Sequence, residues 1–151
     1  MLKGIDPVLS PELLKLLCEM GHGDEVVLAD ANFTAESLGR GKPVLRLPGV
    51  DIRRACAAVL SVFPLDSFVG QPVTYMQVND TATGYRSAVQ REVIDDMVAA
   101  GNGRSEQCEA LERFAFYERV GRAYAIVQTG EMQAYANFIF KKGVIADVLR
   151  G

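Results

Sequence analysis

One histidine occurs in the chain, His22, set between Gly21 and Gly23 in "EMGHGDEVVLAD" (residues 19–30). Imidazole is the side chain whose ordinary titration lies nearest neutral pH, which suits it to reversible proton transfer. The flanking glycines let the backbone bend and leave space around the ring. Asp24, two residues on, is placed either to orient that ring or to cap a turn. A histidine in a helix-ending turn also serves simply as a polar surface residue. The same stretch closes on Asp30, at the far end of an apolar run. In parallel sheets ligands bind beyond the carboxyl ends of strands, which is where Asp30 stands. An Asx residue before Ala31-Asn32 equally well forms a turn.

Two further segments carry groups that could bind a polar ligand. "RFAFYER" (113–119) opens with Arg113, whose planar fork can hydrogen-bond hydroxyls or a carboxylate, or remain a solvated charge. On a helix its Phe114, Tyr117 and Ala115 would face the core, with Phe116 on another side. "TGEMQAYANFIF" (129–140) holds Tyr135 and Asn137 two residues apart at the start of a strand, so they should point the same way. Tyrosine gives a flat apolar face and a hydroxyl, and asparagine a donor and an acceptor. The pairing suits a polyhydroxylated sugar; a loop asparagine beside a packing tyrosine is the plain alternative.

These residues need a scaffold, and the hydrophobic pattern outlines one. "SPELLKLLCEMG" has Ser10 as N-cap, Pro11 at the first helical position, Leu13, Leu16, Leu17 and Met20 at helical spacing, and Gly21 as a stop. "EVVLAD", "PVLRLPG", "PVTYMQV", "YAIVQTG" and "NFIFKKGVI" read as short strands. "TAESLG" is at least one helical turn. "DIRRACAAVLSVF" starts from Asp51 and buries Ile52, Ala55, Cys56, Val59 and Leu60. "YRSAVQREVIDDMVAA" is amphipathic through Val89, Val93 and Met97, and "EALERFAFYERVGRA" reads as helical. Helices alternating with Val/Ile/Leu-rich strands predict an α/β fold, one domain over 1–151, with a largely parallel sheet covered by helices on both faces. A dinucleotide-binding Rossmann domain is excluded by the lack of GxGxxG, and "GRGK" (39–42) is too short for a phosphate loop.

Composition narrows the function classes. The 151 residues are 49% hydrophobic with a net charge of −3, which argues against disorder and against a basic nucleic-acid surface. No apolar run approaches the ~20 residues of a membrane span, and "MLKGIDPVLS" has no apolar signal core. Cys18, Cys56 and Cys108 are odd in number and far apart, so they read as reduced thiols of a cytoplasmic protein without a zinc site.

Taken together, "SPELLKLLCEMGHGDEVVLADANF", "RFAFYER" and "TGE…YAN…KKGV" resemble the fucose mutarotase and D-ribose pyranase family, from Met1 to about Val144. "GHGDE" with a distant "YAN" is common to both branches, and "RFAFYER" marks the fucose branch. The resemblance implies His22 as the catalytic proton donor. It implies Asp30, Arg113 and the tripeptide Tyr135, Ala136 and Asn137 as substrate-binding residues. It further implies interconversion of the α and β anomers of a free monosaccharide without a cofactor or metal, by a homo-oligomer that is often a ring-shaped decamer. Thr34 stands where relatives often have proline, and Ala136 where some fucose enzymes have glycine.

Opening a pyranose requires a proton at the ring oxygen and removal of one from the anomeric hydroxyl. His22 is the expected acid, with Tyr135 or water as partner, and Asp30, Arg113 and Asn137 as hydroxyl ligands. If "DEVVLAD" is a straight strand, His22 and Asp30 lie up to ~26 Å apart, far more than a hexose spans. The expectation is therefore a site between subunits. Ribose pyranase activity and a non-catalytic sugar-binding oligomer are the alternatives.

Overall fold

A computed structural model describes residues 1–147 and 149. The sheet has six strands: β1 (Glu25–Ala29), β2 (Val44–Leu47), β3 (Val73–Met76), β4 (Cys108–Leu111), β5 (Ala125–Thr129) and β6 (Phe138–Lys141). Among the described residues five α-helices accompany them: α1 (Pro11–Glu19), α2 (Ala35–Leu38), α3 (Ile52–Leu60), α4 (Ala88–Ala99) and α5 (Arg113–Arg122). The strand order is β2-β5-β1-β6-β3-β4. β1, β2 and β5 pair in parallel, as do β3 and β4, while β6 runs antiparallel to both its neighbours, β1 and β3. The sheet is thus largely parallel, with one reversed strand at its centre.

Alternation along the strands assigns the two faces. Val26, Leu28, Val127, Phe138 and Phe140 pack with the apolar stripes of α1, α3 and α4. Val27, Ala29, Ile126 and Ile139 pack with Ala35 of α2 and with Phe116 and Val120 of α5. Helices therefore cover both faces, as expected. Each fully buried Leu, Ile or Phe contributes about 1.5–3 kcal/mol relative to exposure. The caps follow the sequence pattern: Ser10 accepts from the Leu13 amide and Asp51 from the Arg54 amide.

Three local expectations are corrected. Residues 109–111 are not helical; Cys108–Leu111 pairs in parallel with Val73–Met76 as an edge strand. Sheet pairing outweighs the helix preference of Glu, Ala and Leu there, and Arg119 holds Glu109 at 3.0 Å. In α5 it is Phe116 that is fully buried, four residues before Val120, while Phe114 is 69% exposed. Finally, α4 begins at Ala88, not Tyr85, because Ser87 and Gln90 form a reciprocal capping box.

Candidate active site

At the carboxyl end of β1, Asp30 is buried and paired with Asn137, which directly precedes β6. The Asn137 side-chain oxygen accepts from the Asp30 amide at 2.8 Å, and its Nδ2 donates to Asp30 Oδ2 at 3.0 Å. Asp30 Oδ1 accepts from the Asn32 amide at 2.9 Å, so the carboxylate also closes an Asx turn. The ligand-binding and turn-forming readings of Asp30 are thus compatible. Burial pushes the Asp30 carboxyl above its ordinary range; hydrogen bonds from Asn137, Asn32 and Phe33 oppose this, and the nearby Glu131 adds to it.

A cleft of about 220 Å³ opens over this pair, lined by Asp30, Asn137, Arg113, Tyr135, Phe33 and Tyr117 among others. Arg113 begins α5, where Glu112 caps the helix by accepting from the Phe114 and Ala115 amides. Its Nε donates to the Tyr117 hydroxyl at 3.0 Å, and its guanidinium lies 5.4 Å from the centre of that ring. Tyr117 in turn meets Phe33 edge-on at 5.7 Å. Tyr135 does not start a strand as expected. It has φ +61°, a left-handed conformation rare for a non-glycine residue, and its carbonyl accepts from Gln90 Nε2 at 2.9 Å. This turn, not strand alternation, brings Tyr135 and Asn137 into one cleft. Ala136 contributes backbone between them; its methyl is buried in the core beneath α1, α3 and α4.

His22 lies elsewhere. It precedes β1 while Asp30 follows it, so the strand separates them by about 16 Å or more. The expected separation is therefore present within one chain. His22 Nε2 is 3.1 Å from Asp66 Oδ1, and its ring lies 5.4 Å from that of Phe68. The imidazole side chain is 44% exposed and that of Asp66 only 4%. Burial acts to raise the Asp66 carboxyl, yet the Phe68 amide, His22 and Lys141 together hold it below the ordinary carboxylate range. Asp24 accepts from the Gly21 amide at 2.7 Å and so closes the turn; it is Asp66 that meets the ring. Asp66, Phe68 and Phe33 carry no sequence signal of their own, whereas Tyr117 stands one helical turn after Arg113 and Gln90 completes an S-x-x-Q capping box from Ser87. Among the described residues no three His, Cys, Asp or Glu side chains converge as a metal-binding set.

Known proteins resemble this chain along almost all its length. The L-fucose mutarotase of Glaesserella parasuis is 46% identical over 144 residues, 95% of this chain and 96% of that one. The human fucose mutarotase is 43% identical over 148 residues, 96% of this chain and 95% of that one. The crystal structure of the fucose mutarotase from Streptococcus pneumoniae in complex with L-fucose superposes with a TM-score of 0.85 at 41% identity, covering 96% of this chain and 100% of that one. Bacillus subtilis RbsD, complexed with D-ribose, shares the fold at 22% identity, with a TM-score of 0.73 and 97% and 100% coverage. A family model described as RbsD / FucU transport protein family matches residues 3–145. Fold, sequence and extent agree, and the chain belongs to that family.

Proposed function

We propose that this chain is a sugar mutarotase that interconverts the α and β anomers of L-fucose, or of a closely related free monosaccharide, by acid–base ring opening and reclosure. The observation that carries this reading is the cleft in which the buried Asp30–Asn137 pair, Arg113 and Tyr135 converge. The names of the relatives at 43–46% identity point to the same reaction. Asp30 Oδ2 accepts from Asn137, and the carboxylate has acceptor capacity left for a sugar hydroxyl beyond the bonds it already accepts. Arg113 donates to another hydroxyl, and the Tyr135 and Tyr117 rings supply apolar faces. His22 protonates the ring oxygen as the anomeric hydroxyl loses its proton to water, directly or through the Tyr135 hydroxyl, which passes its own proton on to water. The open aldehyde turns about C1–C2 and closes on its other face, and the two protons return. No bond is oxidised or reduced, so the balance needs no cofactor.

The reading takes residues 1–151 as one mutarotase domain in the cytoplasm, supported by one continuous sheet and by free cysteines, two of them buried. It takes the working form as a homo-oligomer, a ring-shaped decamer, with each site built from the cleft of one chain and His22 of the next. Support comes from the two half-sites at opposite ends of β1, each beside an exposed aromatic, Phe68 (75%) and Phe114 (69%). No helix among the described residues is long and apolar enough to cross a membrane.

The test is NMR saturation exchange between anomers over a panel of free sugars, including fucose and ribose. Acceleration for fucose that disappears in His22→Ala, His22→Phe and His22→Gln is the expected result. Faster pyranose–furanose exchange of ribose than fucose exchange would favour the pyranase reading. Saturable sugar binding with no acceleration would mark a non-catalytic binding protein.

A further inference from the structure

Asp66 is a buried carboxylate whose side-chain partner is the half-exposed His22. The two residues are 44 positions apart, yet both are anchored to the end of β6. The Asp66 amide donates to the Lys141 carbonyl at 3.0 Å, and the Gly23 amide, next to His22, donates to the Lys142 carbonyl at 2.8 Å. Consecutive residues of one strand end therefore fix acid and ring relative to each other. Gly143 continues this seam: a Cβ there would lie 2.5 Å from the Leu65 carbonyl oxygen and 2.9 Å from the Asp66 Cα. The same Asp66 Oδ1 that faces His22 also accepts from the Phe68 amide at 3.0 Å.

We propose that Asp66 is a positioning residue for mutarotation, which accepts from the Nε2–H of His22 and so makes Nδ1 the nitrogen that carries the sugar proton. This rests on the reading of His22 as the proton carrier. An ionised carboxylate can only accept, so the nitrogen facing it must be the protonated one. In the neutral ring the lone pair is then confined to Nδ1, which diverges from Asp66 across the ring. When Nδ1 takes a proton, the ring becomes a cation beside a buried anion, and the charge is balanced where it forms. The sugar approaches from the exposed side, where Phe68 also stands.

The chain's single histidine gives a single imidazole signal set, so two-bond ¹⁵N–¹H correlation spectra read the tautomer without assignment work. The expected wild-type pattern at alkaline pH is Nε2–H. Asp66→Ala should turn it into a tautomer mixture and slow fucose exchange on the order of 10–100-fold, with KM within about twofold. Asp66→Asn keeps an acceptor for the Phe68 amide, and therefore the turn. It should hold the fold and the Nε2–H pattern while still losing at least about tenfold in kcat, because the charge is gone. A purely structural Asp66 would leave the rate of Asp66→Asn unchanged, and that result overturns the proposal. A wild-type spectrum dominated by Nδ1–H also overturns it while leaving the role of His22 standing. Full exchange activity in His22→Ala would instead remove the reading on which it rests.

Discussion

Asp30 shows what burying a candidate binding carboxylate costs the fold. Its carboxylate is taken out of water and compensated by amides and an asparagine, with no salt bridge, and its pKa rises. A raised carboxyl pKa means that the folded chain binds the proton more tightly than the unfolded one. The contribution of Asp30 to stability is therefore greatest below the ordinary carboxylate range, near pH ~4, and is lost as pH rises through its shifted value. Asp30→Asn removes this titration. The melting temperature of the variant minus that of the wild type should grow more positive as pH increases from about 4 toward 7. A pH-independent difference in calorimetry would contradict the assignment. The same substitution should weaken sugar binding, since an acceptor-only group becomes half donor.

At the scale of elements, the cleft depends on α4 although no α4 residue lines it. Gln90 is fully buried; its oxygen accepts from the Ser87 amide, and its Nε2 donates to the Met76 and Tyr135 carbonyls. One side chain thus caps a helix, ends β3 and holds the left-handed turn at Tyr135. Gln90→Leu orphans the buried Met76 carbonyl, at about 1–3 kcal/mol, and frees the part-buried Tyr135 carbonyl. Urea denaturation should show that loss, and the KM for fucose should rise as the Tyr135 turn slackens. Little of this was visible in the sequence. Apolar runs such as "EVVLA" and "AIVQT" reveal β1 and β5 because central strands are buried on both faces. The edge strand β4 shows no such run, and its "EAL" (109–111) reads as helix until its partner β3 is known. In α5 two stripes compete, Phe114 with Tyr117 and Phe116 with Val120, and only docking on the sheet selects the second. Asp30, Arg113, Tyr135 and Asn137 stand out by type and position, each beside a plain structural alternative, and only the family resemblance gives them roles. Asp66 does not stand out, because a lone aspartate in a loop has no pattern and its partner lies 44 residues away.

For the whole molecule, the opposition of His22 and the cleft across β1 makes activity a property of the assembly in the proposed reading. His22→Ala chains keep an intact cleft, and Asn137→Ala chains keep an intact histidine. Each variant alone should be inactive. Unfolding and refolding them together in equal amounts should restore about a quarter of the sites, those joining the sound half of each chain. Mixed oligomers with no recovered exchange would place both halves of a site in one chain. The sheet has a second seam with a different consequence. β2-β5-β1 and β3-β4 are joined only through β6, the last strand in chain order. A nascent polypeptide that has not yet reached Phe138 therefore holds two half-sheets, with β1 and β3 each exposing an unpaired inner edge. Those edges invite pairing with other chains emerging from the same polysome. Burden on chaperones should accordingly fall within one short interval of synthesis, and end when four residues slide into the gap.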